Sequence, residues 1–380
     1  MLARRFDSVR ELPAAYDAVF EQAARRSLFL SRPWFENFER TVVQAHDRTP
    51  VFALGGEGGA AVWPCWKPGP GHAQATRGLR ALAGDNAAAK AASGLQGMAN
   101  YYASLYGPVL AWPGAHGAEA LAALVAALVH APEVGHRVRF APLPHDDGQL
   151  AAIEAAFRTQ GWWTRRYFCF GNWYLPCQGM DYAAYLDTRP SALRNTLRRK
   201  QKRFDRLAGA RLELCRDGAA IARGLDAFEQ VYARSWKLPE PYPRFIPGLV
   251  HTLAAQGWLR LGVAWLDDEP VAAQIWAVCH GVASIYKLAY DAAYRELSAG
   301  SLLSAMLLRH VLDEGVREVD YLTGDDHYKR DWMSHRRERW GLAAFDPGTA
   351  RGFAEGALNR MGNRGHQLWR EVRRILHVAS

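Results

Sequence analysis

The segment 286–332 constrains the fold of this 380-residue chain more than any other part of the sequence. It has the pattern of a β-strand, a turn of small residues that opens a helix, a second strand and a polar loop. A strand that enters a helix through Ser298, Ala299, Gly300 and Ser301 leaves backbone N–H groups without partners at the positive end of the helix dipole. We therefore predict that these four residues bind an anionic group such as a pyrophosphate.

Titratable side chains follow on the second strand and in the loop after it. They are Asp320, Asp325, Asp326, His327 and Tyr328. An anion-binding turn beside possible acids and bases indicates group transfer from a phosphorylated carrier.

The segments YDAAYRELSAGSLL and VREVDYLTGDDHYKRDW resemble the C-terminal half of acetyltransferases of the CelD/BcsL type. These are two-lobed relatives of the GNAT N-acyltransferases and of the Fem peptidyltransferases of cell-wall synthesis. The resemblance covers residues 180–345, and the N-terminal half only in outline. One departure is the helix start at 297–301, where common GNAT enzymes carry a richer glycine loop. The matching features are Asp291, the helix start SAGSLL, Asp320, and the loop with Gly324, Tyr328, Lys329 and Trp332.

The predicted order of elements agrees with this resemblance. Strands at 259–266, 271–279 and 283–290, joined by short turns, precede a strand–helix–strand crossover, which is the GNAT order. We predict an α/β (mixed α+β) fold of two tandem GNAT-like lobes, each a mostly antiparallel sheet flanked by helices. The predicted boundaries are 1–178 for the N-terminal lobe, 179–346 for the catalytic lobe and 347–380 for a basic amphipathic helix.

The resemblance implies transfer of an acyl group, acetyl in the first place, from acyl-CoA to an amine or hydroxyl. The acceptor would be a small molecule or a glycan, in exopolysaccharide or cell-envelope synthesis, with direct attack in a ternary complex. Two alternatives stay open. One is a Fem-like peptidyltransferase that uses aminoacyl-tRNA, and the other is a non-catalytic protein that binds an anionic glycan or a membrane.

Acyl transfer requires a base for the acceptor, polarisation of the carbonyl and an acid for the leaving group. Asp320, Asp325 and His327 are candidate bases, and Tyr328 or Tyr286 is the candidate acid. The adjacent Asp325 and Asp326 are expected to raise each other's pKa. The candidate binding residues are Lys329 with 298–301 for the donor, and Trp236, Gln274, Tyr286, Lys287 and Asp291 for the acceptor.

Each candidate also has a purely structural interpretation. Asp326 suits a helix cap, His327 a surface loop, and Trp236 the anchor of a loop. Lys287 and Asp291 also suit a salt-bridged pair on the surface.

A predicted helix at 191–207 carries seven cationic side chains opposite an apolar face. This pattern is typical of a solvated helix, and equally of a surface for the 3′-phosphate of CoA or for RNA such as tRNA. The residues 352–380 also have one apolar and one basic face, which suits packing on the protein or peripheral contact with a membrane. The cations of the first helix are Arg194, Arg198, Arg199, Lys200, Lys202, Arg203 and Arg206.

The charge and the composition of the chain limit the kinds of partner and cofactor that we expect it to bind. A net charge of +9 favours anionic partners, although no feature indicates DNA. Five dispersed cysteines lack the spacing of a metal site or a disulfide framework, so we expect no metal. Neither a signal peptide nor a membrane-spanning stretch is visible, and we expect a cytoplasmic protein.

Overall fold

The computed structural model describes residues 3–56, 59–70, 72, 94–111 and 114–360. These residues form a mixed α/β fold in which sheet strands are flanked by helices, so the predicted fold class is confirmed. Packing divides the chain into two compact units. The described residues of unit 1 come from Met1–Val19, Val43–Cys169 and Arg339–Ser380, and those of unit 2 from Phe20–Val42 and Phe170–Glu338.

Both units are assembled from separated segments of the chain, whereas the predicted lobes are continuous in sequence. The boundaries predicted at 178/179 and 346/347 stay a prediction. Of the C-terminal helix predicted at 347–380, residues 350–360 are helical and residues 347–349 form a turn, while residues 361–380 lie outside the described part of the chain.

Unit 1 contains strands in the order β1-β2-β3-β4-β6-β13, with β5 paired to β3. Of β13 (His335–Phe345), the residues from Arg339 onward belong to this unit. The predicted hairpin around residues 55–59 is present, with Val51 opposite Pro64. β6 pairs antiparallel with the later part of β13. The elements are β1 (Arg4–Phe6), β2 (Val51–Gly56), β3 (Gly59–Trp66), β4 (Leu95–Gly97), β5 (Val109–Leu110), β6 (Arg137–Pro144), α3 (Gly114–Val129), α4 (Gln149–Thr159) and a helix at 350–360.

Unit 2 contains strands in the order β7-β12-β11-β10-β9-β8. β8 to β11 form an antiparallel meander, and β12 is parallel to β11 because α9 connects the two strands. The strands are β7 (Trp163–Pro176), which lies in unit 2 from Phe170 onward, β8 (Arg211–Cys215), β9 (Leu259–Leu266), β10 (Glu269–Cys279), β11 (Val282–Tyr290) and β12 (Glu318–Thr323). The helices are α1 (Asp17–Ala24), α2 (Arg32–Thr41), α5 (Tyr182–Asp187), α6 (Ser191–Phe204), α7 (Gly218–Arg234), α8 (Phe245–Ala255), α9 (Ala299–Asp313) and α10 (His327–Trp332).

Helix α9 covers the middle of the unit 2 sheet with an aliphatic face. Leu303 and Leu307 are fully buried in the core cluster that also holds Trp276 and Ile285. A Cβ built on Gly262 would lie 3.0 Å from methyl groups of Leu303 and Leu307, so the glycine lets the helix approach the strand closely. Each buried leucine contributes about 1.5–3 kcal/mol, which holds the start of α9 at a fixed place on the sheet.

Helix α2 belongs to unit 2 although it lies near the start of the chain. Its Trp34 is 2% exposed. The indole contacts Phe29, Phe245 and Tyr286 at ring-centroid distances of 4.6, 5.5 and 6.0 Å. The segment 20–42 therefore fills the face of the sheet behind β11.

Candidate active site

Strands β11 and β12 pair over only three residues and then separate. The parallel ladder joins Val282–Ser284 to Glu318–Asp320 and stops there, although β11 continues for six more residues to Tyr290. β12 leaves its regular course at Leu322, whose φ is 58°. Beyond Ser284, one edge of β11 therefore has no paired strand among the described residues. We call this edge, over residues 285–290, the open edge of β11.

The register of β11 shows which backbone groups point to the open edge. Residues of an antiparallel ladder alternate between bonding the facing strand and pointing away from it. The Asp291 amide donates to Val271 O at 2.9 Å on β10, so Ala289 bonds toward β10 as well. Leu288 and Tyr290 then direct their N–H and C=O groups toward the open edge.

The predicted anion-binding turn lies beside this edge. Ser298 has φ 57° and ψ 31° and precedes the first residue of α9. The amides of Ser301 and Leu302 bond to Ser298 O, at 2.9 and 3.1 Å, which leaves those of Ala299 and Gly300 at the start of the helix. A Cβ on Gly300 would meet Tyr290 Cβ at 3.8 Å, so the turn adjoins the last residue of β11.

Gln274 is buried and holds this turn through hydrogen bonds. Its Nε2 donates to Gly300 O at 2.7 Å and to Ser304 Oγ at 2.8 Å, and its Oε1 accepts from Trp276 Nε1 at 2.9 Å. The side chain is buried, with 1% exposed. The structure therefore places Gln274 as a positioning residue for α9, in contrast to the predicted contact with the acceptor.

Asp320 is engaged on both carboxylate oxygens. Oδ1 accepts from Asn172 Nδ2 at 2.5 Å and from the Leu322 amide at 2.8 Å, while Oδ2 accepts from Arg337 Nη2 at 2.5 Å. Burial acts against the guanidinium charge, but Asp320 and Glu318 raise the pKa of Arg337 above its ordinary value. This network fixes the irregular end of β12 and leaves Asp320 badly placed for proton transfer to a substrate.

A cation stabilises the charged form of the Asp325 carboxylate, and the adjacent Asp326 does not drive this carboxylate toward its neutral form. Arg336 Nη2 donates to Oδ2 at 2.7 Å, and Trp173 Nε1 donates to Oδ1 at 2.9 Å. The hydrogen bond from Arg336 lowers the pKa of Asp325 below its ordinary value, with Trp173 in support and burial opposing. The expectation that Asp325 and Asp326 raise each other's pKa is therefore wrong for Asp325.

The remaining polar-loop candidates lie at the start of α10. His327 is exposed, and Tyr328 is 52% exposed with its ring edge-to-face on Tyr321 at 5.8 Å. Burial and the charge of Asp326 raise the pKa of Tyr328. Asp326 occupies the N-cap position but makes no capping hydrogen bond; it lies 3.3 Å from Lys329 Nζ.

Lys329 is buried, and its ammonium group stabilises the turn before α10. Its Nζ donates to the carbonyls of Thr323 and Gly324, the latter at 3.5 Å. Burial lowers the pKa of Lys329, against the opposing charge of Asp326. The ammonium is thus committed to the protein's own carbonyls, and its predicted contact with the donor stays a prediction.

The predicted acceptor residues do not form one cluster. Lys287 pairs with Glu240 at 2.7 Å, and Tyr286 packs on Phe29 and Trp34 behind β11. Asp291 is buried and accepts from the Ala293 amide at 2.9 Å, so the alternative Lys287–Asp291 pair is not what the structure shows. Trp236 lies in the loop between α7 and α8 and is 74% exposed.

Sequence reasoning missed Lys237, which follows Trp236 in the same loop. Its Nζ donates to Leu288 O, one of the backbone groups of the open edge, and lies 5.8 Å from the ring of Tyr232. Burial, with Lys287 and Lys329 in support and Glu240 opposing, lowers the pKa of Lys237 to about 8. No sequence motif marked this lysine, because its environment is built by four separate elements.

The basic helix α6 packs beside the turn that precedes α9. Lys200 Nζ donates to Glu296 O at 2.6 Å, two residues before Ser298. Five cations of α6 and the residues just after it point to solvent; they are Arg198, Arg199, Lys202, Arg203 and Arg206.

Neither a metal-binding cluster nor a membrane-spanning helix is present in the described part of the chain. Among the described residues, no group of three or more His, Cys, Asp or Glu side chains is arranged to hold a metal ion. No helix in the described ranges has both the length and the apolar character needed to cross a membrane.

Residues 191–330 match the sequence model of the Acetyltransferase (GNAT) domain. This segment contains Lys237, Gln274, the turn at 298–301 and the residues from Asp320 to Lys329, whereas Asn172, Trp173, Arg336 and Arg337 lie outside it. Acyl transfer is the chemistry that a GNAT acetyltransferase domain indicates, and the CelD/BcsL resemblance stays a prediction. A comparison with curated proteins found no match.

Three solved structures resemble this chain at low sequence identity. FemX superposes with a TM-score of 0.61 at 11% identity, covering 91% of this chain and 97% of FemX. A tandem GNAT protein from the clavulanic acid biosynthesis pathway gives a TM-score of 0.49 at 14% identity, covering 90% and 98%. The C-terminal domain of a putative lysylphosphatidylglycerol synthetase from Agrobacterium fabrum gives 0.47 at 15%, covering 71% and 81%. The likeness to FemX concerns the fold alone.

Proposed function

We propose that this protein transfers an acyl group, acetyl in the first place, from acyl-CoA to an amine or hydroxyl acceptor. The observation that carries the proposal is the unpaired edge of β11, which meets the start of α9 at Tyr290 and Gly300. An extended donor with a phosphorylated end suits this place, because strand-edge groups and helix N–H groups are both available there. Direct attack by the acceptor then needs no covalent enzyme intermediate.

Each part of the donor has a protein group that fits it. The amides of Ala299 and Gly300, at the positive end of α9, suit the pyrophosphate. The outward N–H of Leu288 suits the thioester carbonyl, whose oxygen gains negative charge as the acceptor attacks. Lys200 and the exposed arginines of α6 suit the 3′-phosphate of CoA.

Calorimetric titration of CoA and acetyl-CoA into the purified protein tests this assignment. A leucine side chain in place of Gly300 would occupy the space above the helix start, so we expect Gly300→Leu to weaken binding by about tenfold or more, roughly 1.4 kcal/mol. Gly218, in the first turn of α7, is a matched control with open space around it. Equal CoA affinity in Gly300→Leu and in the wild-type protein would contradict the proposal.

The acceptor side of the site is the loop between α7 and α8. Trp236 is exposed in this loop, and Glu240 of the same loop pairs with Lys287 of β11, so the loop offers an aromatic face and polar groups to a small molecule or glycan. A role in exopolysaccharide or cell-envelope synthesis, in the cytoplasm and with peripheral membrane contact, extends this proposal through the CelD/BcsL resemblance.

Helix α6 favours a second candidate donor, aminoacyl-tRNA. Its exposed cations form a continuous basic surface next to the turn that opens α9. If these residues neutralise phosphates, the logarithm of the binding constant for tRNA should fall steeply and linearly with the logarithm of salt concentration. Fluorescence anisotropy of labelled tRNA measures this slope, and Arg199→Glu with Lys202→Glu should reduce its magnitude by roughly two. A flat salt dependence would leave acyl-CoA as the donor.

A further inference from the structure

Lys237 lies at the open edge of β11 without an acidic partner. Its Nζ contacts Leu288 O, on the same edge where the donor's carbonyl is proposed to bind. The nearest carboxylate, on Glu240 of the same loop, is held by Lys287 at 2.7 Å. Among the described residues, no Asp or Glu is recorded within ion-pair distance of Lys237.

The groups that face Lys237 come from every element around it. Tyr232 on α7 contributes its ring, Lys287 on β11 and Lys329 on α10 contribute positive charge, and Glu240 contributes a negative charge that Lys287 neutralises. Burial disfavours the ammonium form relative to the neutral amine, and the positive charges of Lys287 and Lys329 act in the same direction. Neutral Lys237 has a lone pair and can accept a proton.

We propose that Lys237 is the general base that takes the proton from the attacking nitrogen or oxygen of the acceptor; this inference rests on the proposed acyl transfer. The acceptor atom forms a bond to the acyl carbon, and its proton moves to Lys237 Nζ. The carbon–sulfur bond breaks, and its electron pair leaves on the CoA sulfur. The thiolate is protonated from solvent, and Lys237 returns its proton to solvent.

Three sequence-predicted bases are worse placed for this role. Asp320 is saturated by Arg337, Asn172 and the Leu322 amide. Asp325 is paired with Arg336, which makes it a weaker base, and His327 is exposed at the start of α10. With its pKa lowered to about 8, Lys237 matches the range that general bases use near neutral pH. About a quarter of it is neutral at pH 7.5, against roughly 0.1% of an ordinary lysine.

Titration of the side chain itself is the first test. The chain has seven lysines, so protein labelled with ¹³C at lysine Cε gives a small set of resonances. Lys237→Met identifies the Lys237 signal by its absence. We expect that signal to titrate near pH 8, with the exposed lysines near their ordinary value of about 10.4. A midpoint above about pH 10 for Lys237 would overturn the proposal.

The second test compares two probe amines with acetyl-CoA as donor, with release of the CoA thiol as the signal. Ethanolamine is protonated at pH 7 and must lose a proton before its nitrogen can attack, whereas hydroxylamine is already uncharged and loses its proton only after attack. We expect Lys237→Met to lower kcat/KM for ethanolamine by about 10²–10⁴-fold and to change the hydroxylamine reaction by less than about tenfold. Lys237→Arg keeps the charge but not the base, and should resemble Lys237→Met. A purely structural role would lower both reactions equally.

The third test measures how the rate with ethanolamine depends on pH, and it includes one control variant. The wild-type rate with ethanolamine should rise with pH and level off above about pH 8, and this inflection should vanish in Lys237→Met. Lys67→Met, in unit 1, should behave as wild type. If wild-type protein neither binds acetyl-CoA nor releases thiol with either amine, the proposed function fails and the base assignment with it. If it does both and Lys237→Met matches it, only the base assignment fails.

Discussion

The partner of each buried ionisable side chain in unit 2 decides what that side chain does. Arg337 has two carboxylates, Lys287 has one, and Lys237 has a backbone carbonyl. A charge matched by an opposite charge stays ionised and holds structure, whereas a charge without one moves toward its neutral form. The same residue type, lysine, therefore has two different roles within the neighbourhood of one strand.

The ion pairs of Arg337 with Asp320 and Glu318 lead to a prediction about a single residue. Asp320→Asn removes the negative charge that Arg337 and the Leu322 amide both contact, and we expect the free energy of unfolding to fall by about 3–5 kcal/mol, as on breaking a buried pair. Urea unfolding measures the change. Asp226→Asn, at an exposed position of α7, is the control and should stay within about 0.5 kcal/mol. A loss below 1 kcal/mol for Asp320→Asn would show that the network does not stabilise β12.

At the scale of elements, the first turn of α9 is held by side-chain hydrogen bonds from the sheet. Gln274 reaches across from β10 and bonds both the carbonyl of Gly300 and the hydroxyl of Ser304. The helix dipole can act on a donor only if the helix start keeps its place at the end of β11. Gln274 thus connects core packing to the donor site without facing it.

Gln274→Leu should separate this positioning role from direct binding. It leaves Trp276 Nε1 and Gly300 O without that partner, so we expect a loss of about 1–3 kcal/mol in the free energy of unfolding. We also expect CoA affinity to fall by about tenfold, because the amides of α9 lose their fixed orientation. Urea unfolding and calorimetry measure the two effects, with the exposed Gln256→Leu as control. Unchanged CoA affinity despite lost stability would remove Gln274 from the donor site.

Elements with a strong local pattern could be predicted from sequence. The strand predicted at 259–266 matches β9, and the helix predicted at 301–314 matches α9 within two residues, since apolar periodicity sets both. The contacts that decide the site were not predictable in this way. Lys237 meets Leu288 across fifty-one positions and Asp320 meets Arg337 across seventeen, through distances that periodicity does not encode. The mutual pKa shift expected for Asp325 failed for the same reason, since Arg336 was not visible as its partner.

At the scale of the whole molecule, neither unit is a continuous piece of chain. Unit 2 takes α2 from the N-terminal part of the sequence, and unit 1 takes residues 339 onward from the C-terminal part. The segment 20–42 supplies buried Trp34, Phe35 and Phe38 to unit 2, and Trp34 packs on Tyr286 of β11. Stability of the site-bearing unit consequently depends on residues more than two hundred positions away from Tyr286.

Trp34→Ala tests this dependence. Removing a buried indole that contacts three aromatic rings should lower the free energy of unfolding by about 3–5 kcal/mol. Hydrogen exchange should show the loss in unit 2 strands β9–β11. Trp236→Ala, which removes an exposed indole, is the matched control and should change stability by less than about 0.5 kcal/mol. Equal stability of the two variants would mean that segment 20–42 is dispensable for unit 2.

During synthesis on the ribosome, β6 emerges long before β13, the strand with which it pairs. Arg137 lies opposite Phe345, so about two hundred residues separate the two strands in sequence. At about 5–20 residues per second, β6 has emerged roughly 10–40 s before its partner is made. An unpaired strand edge invites pairing with other chains. The nascent protein must therefore protect that edge, by a chaperone or by a temporary fold, until translation is almost complete.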